Sequence, residues 1–219
     1  MLEEAKLQNL KRELIAYGTL VENMLTKASA GLKDHAAEDL KTVISVDEPK
    51  ANELELHFDE ACIQLIAQHQ PAAKSLRTIL MINNISVNLE RMADHVVSIC
   101  EGALYLIERP AVKPLIDIPA MSSIVVGMIR DVITAFIEED DKLAYQVCER
   151  DELVDGLRTQ IIRELITIMI SEPSTIERSL QLMKIASNLE RIADLCTNIG
   201  EDVIYMVTGR VVKHSKQSV

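Results

Sequence analysis

An all-α protein made of two three-helix bundles in tandem is the fold that this sequence predicts, and three observations predict it. The first is an internal duplication: Asn188-Leu189-Glu190-Arg191-Ile192-Ala193-Asp194 repeats Asn88-Leu89-Glu90-Arg91-Met92-Ala93-Asp94 with a single change. Around this heptad Pro71 matches Pro173, Glu48 matches Asp151 and Tyr105 matches Tyr205, so whole halves are repeated. The second is composition. Hydrophobic residues make up 48% of the 219 but aromatics only 3%, there is no Trp, and seven Gly with six Pro cannot supply the turns of an all-β chain. The third is apolar spacing at the period of a helix, traced below.

Leu7, Leu10, Leu14, Tyr17, Val21, Met24 and Ala28 alternate by three and four, so residues 3–30 read as one amphipathic helix that Gly31 ends or kinks. A short helical piece follows over 34–44 with Asp34 as its cap, and Asp47-Glu48-Pro49 signals a new start. That helix runs to His69, where Pro71 forces a break and opens a helix reaching Arg109. Pro110, Pro114 and Pro119 mark a linker over 110–119 between a first repeat, 1–109, and a second, 120–219. The second repeat follows the same plan: a seam of Met121, Val125, Met128, Val132 and Ala135, a short piece from Asp140 to Arg150, an arm from Asp151 to Ile170, and a long helix from Pro173 to Thr208. Each half has a length at which a domain can bury its own core.

The formal charge of −11 repels phosphate backbones, which argues against nucleic acid and favours cations or basic partner surfaces. Only the C-terminal tail, with Arg210, Lys213, His214 and Lys216, is basic. The N-terminus carries Glu3, Glu4, Lys6 and Lys11 instead of an apolar signal core, and no uncharged apolar run approaches the ~20 residues of a membrane span, so a cytoplasmic location is expected. Cys62, Cys100, Cys148 and Cys196 stand singly, without a CxxC pair, and read as reduced, buried thiols. The nine Met residues fall mostly on seams and read as core packing.

On the long helix Glu90, Asp94 and Glu101 lie within about 40° of one another, away from Leu89, Val96, Cys100 and Ile107. Glu190, Asp194 and Glu201 repeat this stripe. Folding each helix pair as a hairpin brings Asp151 and Asp155 beside Glu190 and Asp194, and Glu48 beside Glu90 and Asp94, with Asn52 in place of the fourth acid. Like charges at such spacing destabilise a helix, and oxygen-rich clusters suit divalent or trivalent cations such as Mg, Ca, Mn or Fe. By charge count the second-half group is expected to hold a cation more tightly. The competing reading is a solvated face, with Arg91 and Arg191 pairing locally to Asp94 and Asp194. His95, whose counterpart is Leu195, reads as a surface histidine.

These residues resemble the PhoU family of phosphate-uptake regulators. The resemblance rests on the Leu10-to-Ala28 helix with its Gly18-Thr19-Leu20-Val21-Glu22 segment, the Gln70-Pro71-Ala72 turn, and the doubled Asn-Leu-Glu-Arg-x-Ala-Asp. It implies a spectrin-repeat-like pair of bundles whose acidic E(D)xxxD motifs, here Glu90/Asp94, Asp151/Asp155 and Glu190/Asp194, hold iron or zinc; Mg, Mn, Ca and Ni are alternatives. A fourth motif matches at Glu48 and fails at Asn52. It also implies a non-catalytic cytoplasmic regulator that links a phosphate ABC transporter ATPase to a phosphate-sensing histidine kinase, peripheral to membrane complexes, with a homodimer as one assembly. Two other readings stand beside it. One is a metal-free helical adaptor; the other is a carboxylate-bridged di-iron enzyme, which would need Glu-x-x-His pairs that the sequence lacks.

Overall fold

The computed structural model describes residues 2–209, and among the described residues every regular element is helical. Helices α1 (Leu2–Asp34), α2 (Ala37–Thr42), α3 (Glu48–His69) and α4 (Ala73–Ile107) build the first half. Helices α5 (Asp117–Glu138), α6 (Asp141–Ser171) and α7 (Ile176–Thr208) build the second. The side chain of Glu3 and the basic residues Arg210, Lys213, His214 and Lys216 lie outside the described residues. Both expected seams are buried: Leu14, Tyr17, Val21, Met24 and Ala28 in α1, and Met121, Val125, Met128, Val132 and Ala135 in α5, are inaccessible to solvent.

Several boundaries differ from the sequence expectation, each for a local reason. Helix α1 runs past Gly31 and stops at His35, whose φ of 57° is left-handed, after which the Ala36 N–H donates back to the Gly31 carbonyl at 3.0 Å. Gly31 serves packing instead. A Cβ there would lie 2.7 Å from Leu40 Cδ2, so the missing side chain lets α2 fold back on α1. Asp34 is therefore the last residue of α1 and caps nothing in α2.

Nor does Asp47-Glu48-Pro49 start a separate helix. The chain passes from α2 through a π-helical turn, Val43–Asp47, straight into α3. Pro49 lacks an N–H and its ring crowds the carbonyl four residues back, and a widened turn relieves both without reversing the chain. Asp47 is 5% exposed and accepts a hydrogen bond from Lys27 Nζ at 2.7 Å rather than capping α3. In the second half Glu152 follows Asp151 where Pro49 follows Glu48, and the two pieces expected over 140–170 are one unbroken helix, α6. Asp140 caps it, accepting from the N–H groups of Lys142 and Leu143 at 3.0 and 3.1 Å.

The expected proline breaks fall where the chain turns. Helix α3 ends at Gln70, with φ of 45°, before Pro71, and Pro173 opens a 3-10 turn, Pro173–Thr175, leading into α7. The linker is tied down: Lys113 Nζ donates to Asp117 at 2.7 Å and to Glu164, and Arg178 donates to the Pro110 carbonyl at 2.6 Å. Pro119 lies inside the first turn of α5, where a missing N–H costs least.

Between the halves, α1 packs on α5 and α4 on α7. Asn84 meets Asp202, His95 meets Asn188 and Tyr105 meets Glu177, so α4 and α7 run antiparallel. Glu22 with Arg130, and Gly18 against Ile133, show the same for α1 and α5. The repeats are thus related by a pseudo-two-fold axis, and their buried residues form one continuous core across both halves. Helix α5 is long and apolar enough to cross a membrane, yet half of its most apolar stretch is buried in the bundle. Arg130 and Asp131 at its middle pair with Glu22 of α1 and Arg150 of α6.

Gly18 sets how closely the halves approach, because a Cβ there would lie 3.0 Å from Ile133 Cγ1. Gly18→Val is expected to lower the unfolding free energy by roughly 1–3 kcal/mol through overpacking, measured by chemical denaturation. Unchanged stability would show that α1 and α5 separate freely.

Candidate metal centres

Glu48, Asn52 and Glu55 recur at four and three residues on α3 and so share one face, which looks at Glu90 and Asp94 on α4. The corresponding face of α6 carries Asp151, Asp155 and Arg158 and looks at Glu190 and Asp194 on α7. Glu48, Glu90, Asp151 and Glu190 are half-buried at the helix junctions, whereas Asp94, Asp155 and Asp194 are exposed. Asn52 Nδ2 donates to Glu48 Oε1 at 2.7 Å.

The electrostatics follow from that placement. Burial, then Asp94, Glu55 and Glu48, raise the pKa of Glu90, opposed by Arg91. Burial and then Asp194, Asp155 and Glu190 push Asp151 up to about 6. Glu190 is raised by burial and by its acidic neighbours Asp194 and Asp155, with Arg158 and Arg191 opposing. Asp194 is raised by burial and Asp155, with Arg158 again opposing. Each half therefore gathers carboxylates that repel one another at a partly desolvated junction.

Two members of these groups are missing from the sequence reading. Glu55 adds a fourth carboxylate to the first-half group, and Arg158 adds a guanidinium to the second. The count of three acids against four thus becomes four against four plus a cation. The signal was available, since each stands seven residues, two turns, beyond Glu48 or Asp151. Tyr17, a core residue by its seam spacing, has a second role. It lies beneath the first group, donating to the Ala51 carbonyl at 2.8 Å, and its hydroxyl is pushed well above its usual pKa by burial, Glu90, Glu55 and Asp94.

Glu101 and Glu201 are not among the charges acting on these raised carboxyls. Glu101 is exposed about 16 Å along α4 from Glu90, and Glu201 bears instead on Cys148, whose thiol is raised to about 11, mainly by burial. All four cysteines are free and Cys62, Cys100 and Cys196 are buried, as the sequence implied, whereas Cys148 is half-buried rather than buried. The surface reading of His95 is corrected: it is half-buried in the α4–α7 seam, with Nδ1 3.0 Å from Asn188 Oδ1. Asn188 Nδ2 is spent on the Lys184 carbonyl, so the imidazole is the donor.

Among the described residues no three Asp, Glu, His or Cys side chains are arranged to hold a metal ion as they stand. Each group nevertheless leaves one solvent-shielded oxygen without a hydrogen-bond partner, Asn52 Oδ1 in the first and Asp151 Oδ1 in the second. An unpaired oxygen among mutually repelling carboxylates is the donor chemistry that a hard cation satisfies. The residues fit such an ion by type and charge, with side-chain rotation needed to close a coordination sphere.

The PhoU domain model matches the chain twice, over 14–103 and 118–203. The chain belongs to the PhoU family. A relative from Aquifex aeolicus, the phosphate-specific transport system accessory protein PhoU homolog, is 38% identical over 95% of this chain and 94% of its own length. The PhoU accessory protein of Escherichia coli is 31% identical over 96% and 87%. The crystal structure of PhoU from Pseudomonas aeruginosa superposes with a TM-score of 0.90 at 32% identity, covering 94% of this chain and 99% of that one. The phosphate transport system regulatory protein PhoU from Streptococcus pneumoniae gives 0.88 at 26% identity, covering 96% and 99%. The expected all-α PhoU fold is thus the observed one.

The raised pKa of Asp151 has a stability consequence in the metal-free protein. Between its ordinary value of 3.8 and about 6 the folded chain holds a proton that the unfolded chain has released, so ionisation at higher pH costs stability. Metal-free protein is expected to lose this contribution as pH rises through that window. Asp151→Asn should then raise its melting temperature at pH 7 and flatten its dependence on pH between 4 and 6. A variant that melts lower at pH 7 would mean that another group already relieves the charge.

Proposed function

We propose that this protein is a non-catalytic regulator of phosphate uptake, acting in the cytoplasm by binding a phosphate ABC transporter ATPase and a phosphate-sensing kinase, and restraining the phosphate-starvation response. Membership of a family whose relatives are named as accessory proteins of phosphate-specific transport systems carries this reading. The described residues offer rigid helical faces and charge clusters suited to docking rather than turnover. Deletion should derepress phosphate-responsive genes at high phosphate, and tagged protein should capture the transporter ATPase or the kinase. A deletion that leaves those genes unaltered, together with failure to capture either partner at any phosphate level, removes the reading.

Cation binding on the two acidic groups belongs to the same proposal. Glu48, Glu55, Glu90 and Asp94, with the Asn52 amide oxygen, would hold one ion or small cluster, and Asp151, Asp155, Glu190 and Asp194 the other, with iron or zinc as first candidates. A bound cation supplies charge that lets these carboxylates stay ionised and gives the surface a metal-dependent electrostatic face. Arg158 opposes the carboxylate charge of the second group, so the tighter ion is proposed for the first group, against the order that Asn52 alone suggests. One charge about 4 Å away is worth roughly 1–4 kcal/mol at a partly exposed site. Arg158→Gln should therefore raise metal occupancy of the second group, and Glu55→Gln lower that of the first, read from anomalous diffraction peaks. Occupancies indifferent to both substitutions would show that charge count does not set affinity.

A further inference from the structure

The acidic groups leave unused the outer face of the α4–α7 seam. The register that joins Asn84 to Asp202, His95 to Asn188 and Tyr105 to Glu177 brings the two copies of the repeated heptad level with each other in antiparallel sense. Arg91 then stands level with Ile192, and Arg191 with Met92, so the two arginines stand level with each other about the pseudo-two-fold axis. Both are exposed. Both also bear on one imidazole, since Arg191 and Arg91 add to burial in holding His95 below its usual pKa.

The local pairing expected between these arginines and Asp94 or Asp194 does not form. Ion pairs of the described residues engage Arg109, Arg130 and Arg150, and hydrogen bonds also engage Arg158 and Arg178, while Arg91 and Arg191 have neither. Arg91 opposes the raised pKa of Glu90, and Arg191 that of Glu190, through their charge, without closing an ion pair. Two guanidinium groups level with each other across a helix seam, neither closed in an ion pair, repel each other. A dianionic oxyanion placed between them removes the repulsion and matches both planar forks with charge-assisted hydrogen bonds.

We propose that Arg91 and Arg191 form a binding site for a dianionic phosphate group, bridged between the two repeats on their pseudo-two-fold axis. The ligand is either free orthophosphate or the terminal phosphate of a nucleotide. One arginine comes from each half, so the duplication itself builds the site. The neighbouring carboxylates weaken it in the metal-free protein, and neutralising them with cations strengthens it.

The test titrates the full-length chain, as purified and after chelation followed by dialysis, with orthophosphate and separately with AMP, read by calorimetry or by 31P line broadening. Orthophosphate should bind both preparations, and more tightly the metal-loaded one. Arg91→Ala and Arg191→Ala should each weaken binding at least about tenfold, and the double substitution should abolish it with helical circular dichroism unchanged. Arg→Lys at either position should lose less, keeping the charge without the fork, and Arg163→Ala, exposed elsewhere on α6, should change nothing. Binding of AMP alone keeps the site and identifies a nucleotide as its ligand. Wild-type protein that binds neither ligand overturns the proposal. So does phosphate binding that disappears on chelation yet survives the double substitution, which would assign the anion to bound metal.

Discussion

Helices α4 and α7 each meet an outer helix, the shared core and one another at the same level, and a helix that turns 100° per residue has few ways to satisfy all three. The repeated heptad resolves this residue by residue. Leu89, Met92 and Ala93, and their counterparts Leu189, Ile192 and Ala193, face the core and are buried. Asn88 and Asn188 are buried beside the seam, each donating to the carbonyl four residues back at 2.8 and 2.9 Å. The glutamates turn to the outer helices and the arginines to the axis. Antiparallel packing of two such faces fixes where every other element lies.

That arrangement explains how the molecule tolerates its acidic groups. The repelling carboxylates sit at the rim of a core made almost wholly of aliphatic side chains, so partial solvation limits their repulsion and the packing is left undisturbed. Because α1 packs on α5 and α4 on α7, apolar burial is shared by both halves. Charge can then vary at the outer junctions without unsettling the centre.

The halves have used that freedom differently. Where the first has Pro49 it needs a π-helical turn, and where the second has Glu152 the helix runs straight. Asn52 and Glu55 stand against Asp155 and Arg158, and Tyr17 beneath the first group takes the seam position that Met121 takes in the second. His95 donates across the axis to Asn188, whereas Leu195 has no polar atom to offer Asn88. One scaffold thereby carries two chemically distinct acidic surfaces.

Periodicity and composition are local properties, so the helical class, the duplication, both α1-type seams, the proline-bounded turns and most of the acidic residues are legible in the chain alone. It also placed Asp151 and Asp155 opposite Glu190 and Asp194, since a hairpin's register follows from counting outward from its turn. It misplaced the start of α2 and the break at Asp151, where a glycine admits a neighbouring side chain and a missing proline leaves a helix whole. Counting along one hairpin cannot reach the contacts between hairpins. The sharing of the core between halves, the seam position of His95, the weight of Glu55 and Arg158 in each charge balance, and the joint influence of Arg91 and Arg191 on His95 all depend on how helices distant in the chain cross. Crossing is set by the summed shape of many side chains, such as Gly18 against Ile133, and no local pattern encodes that sum.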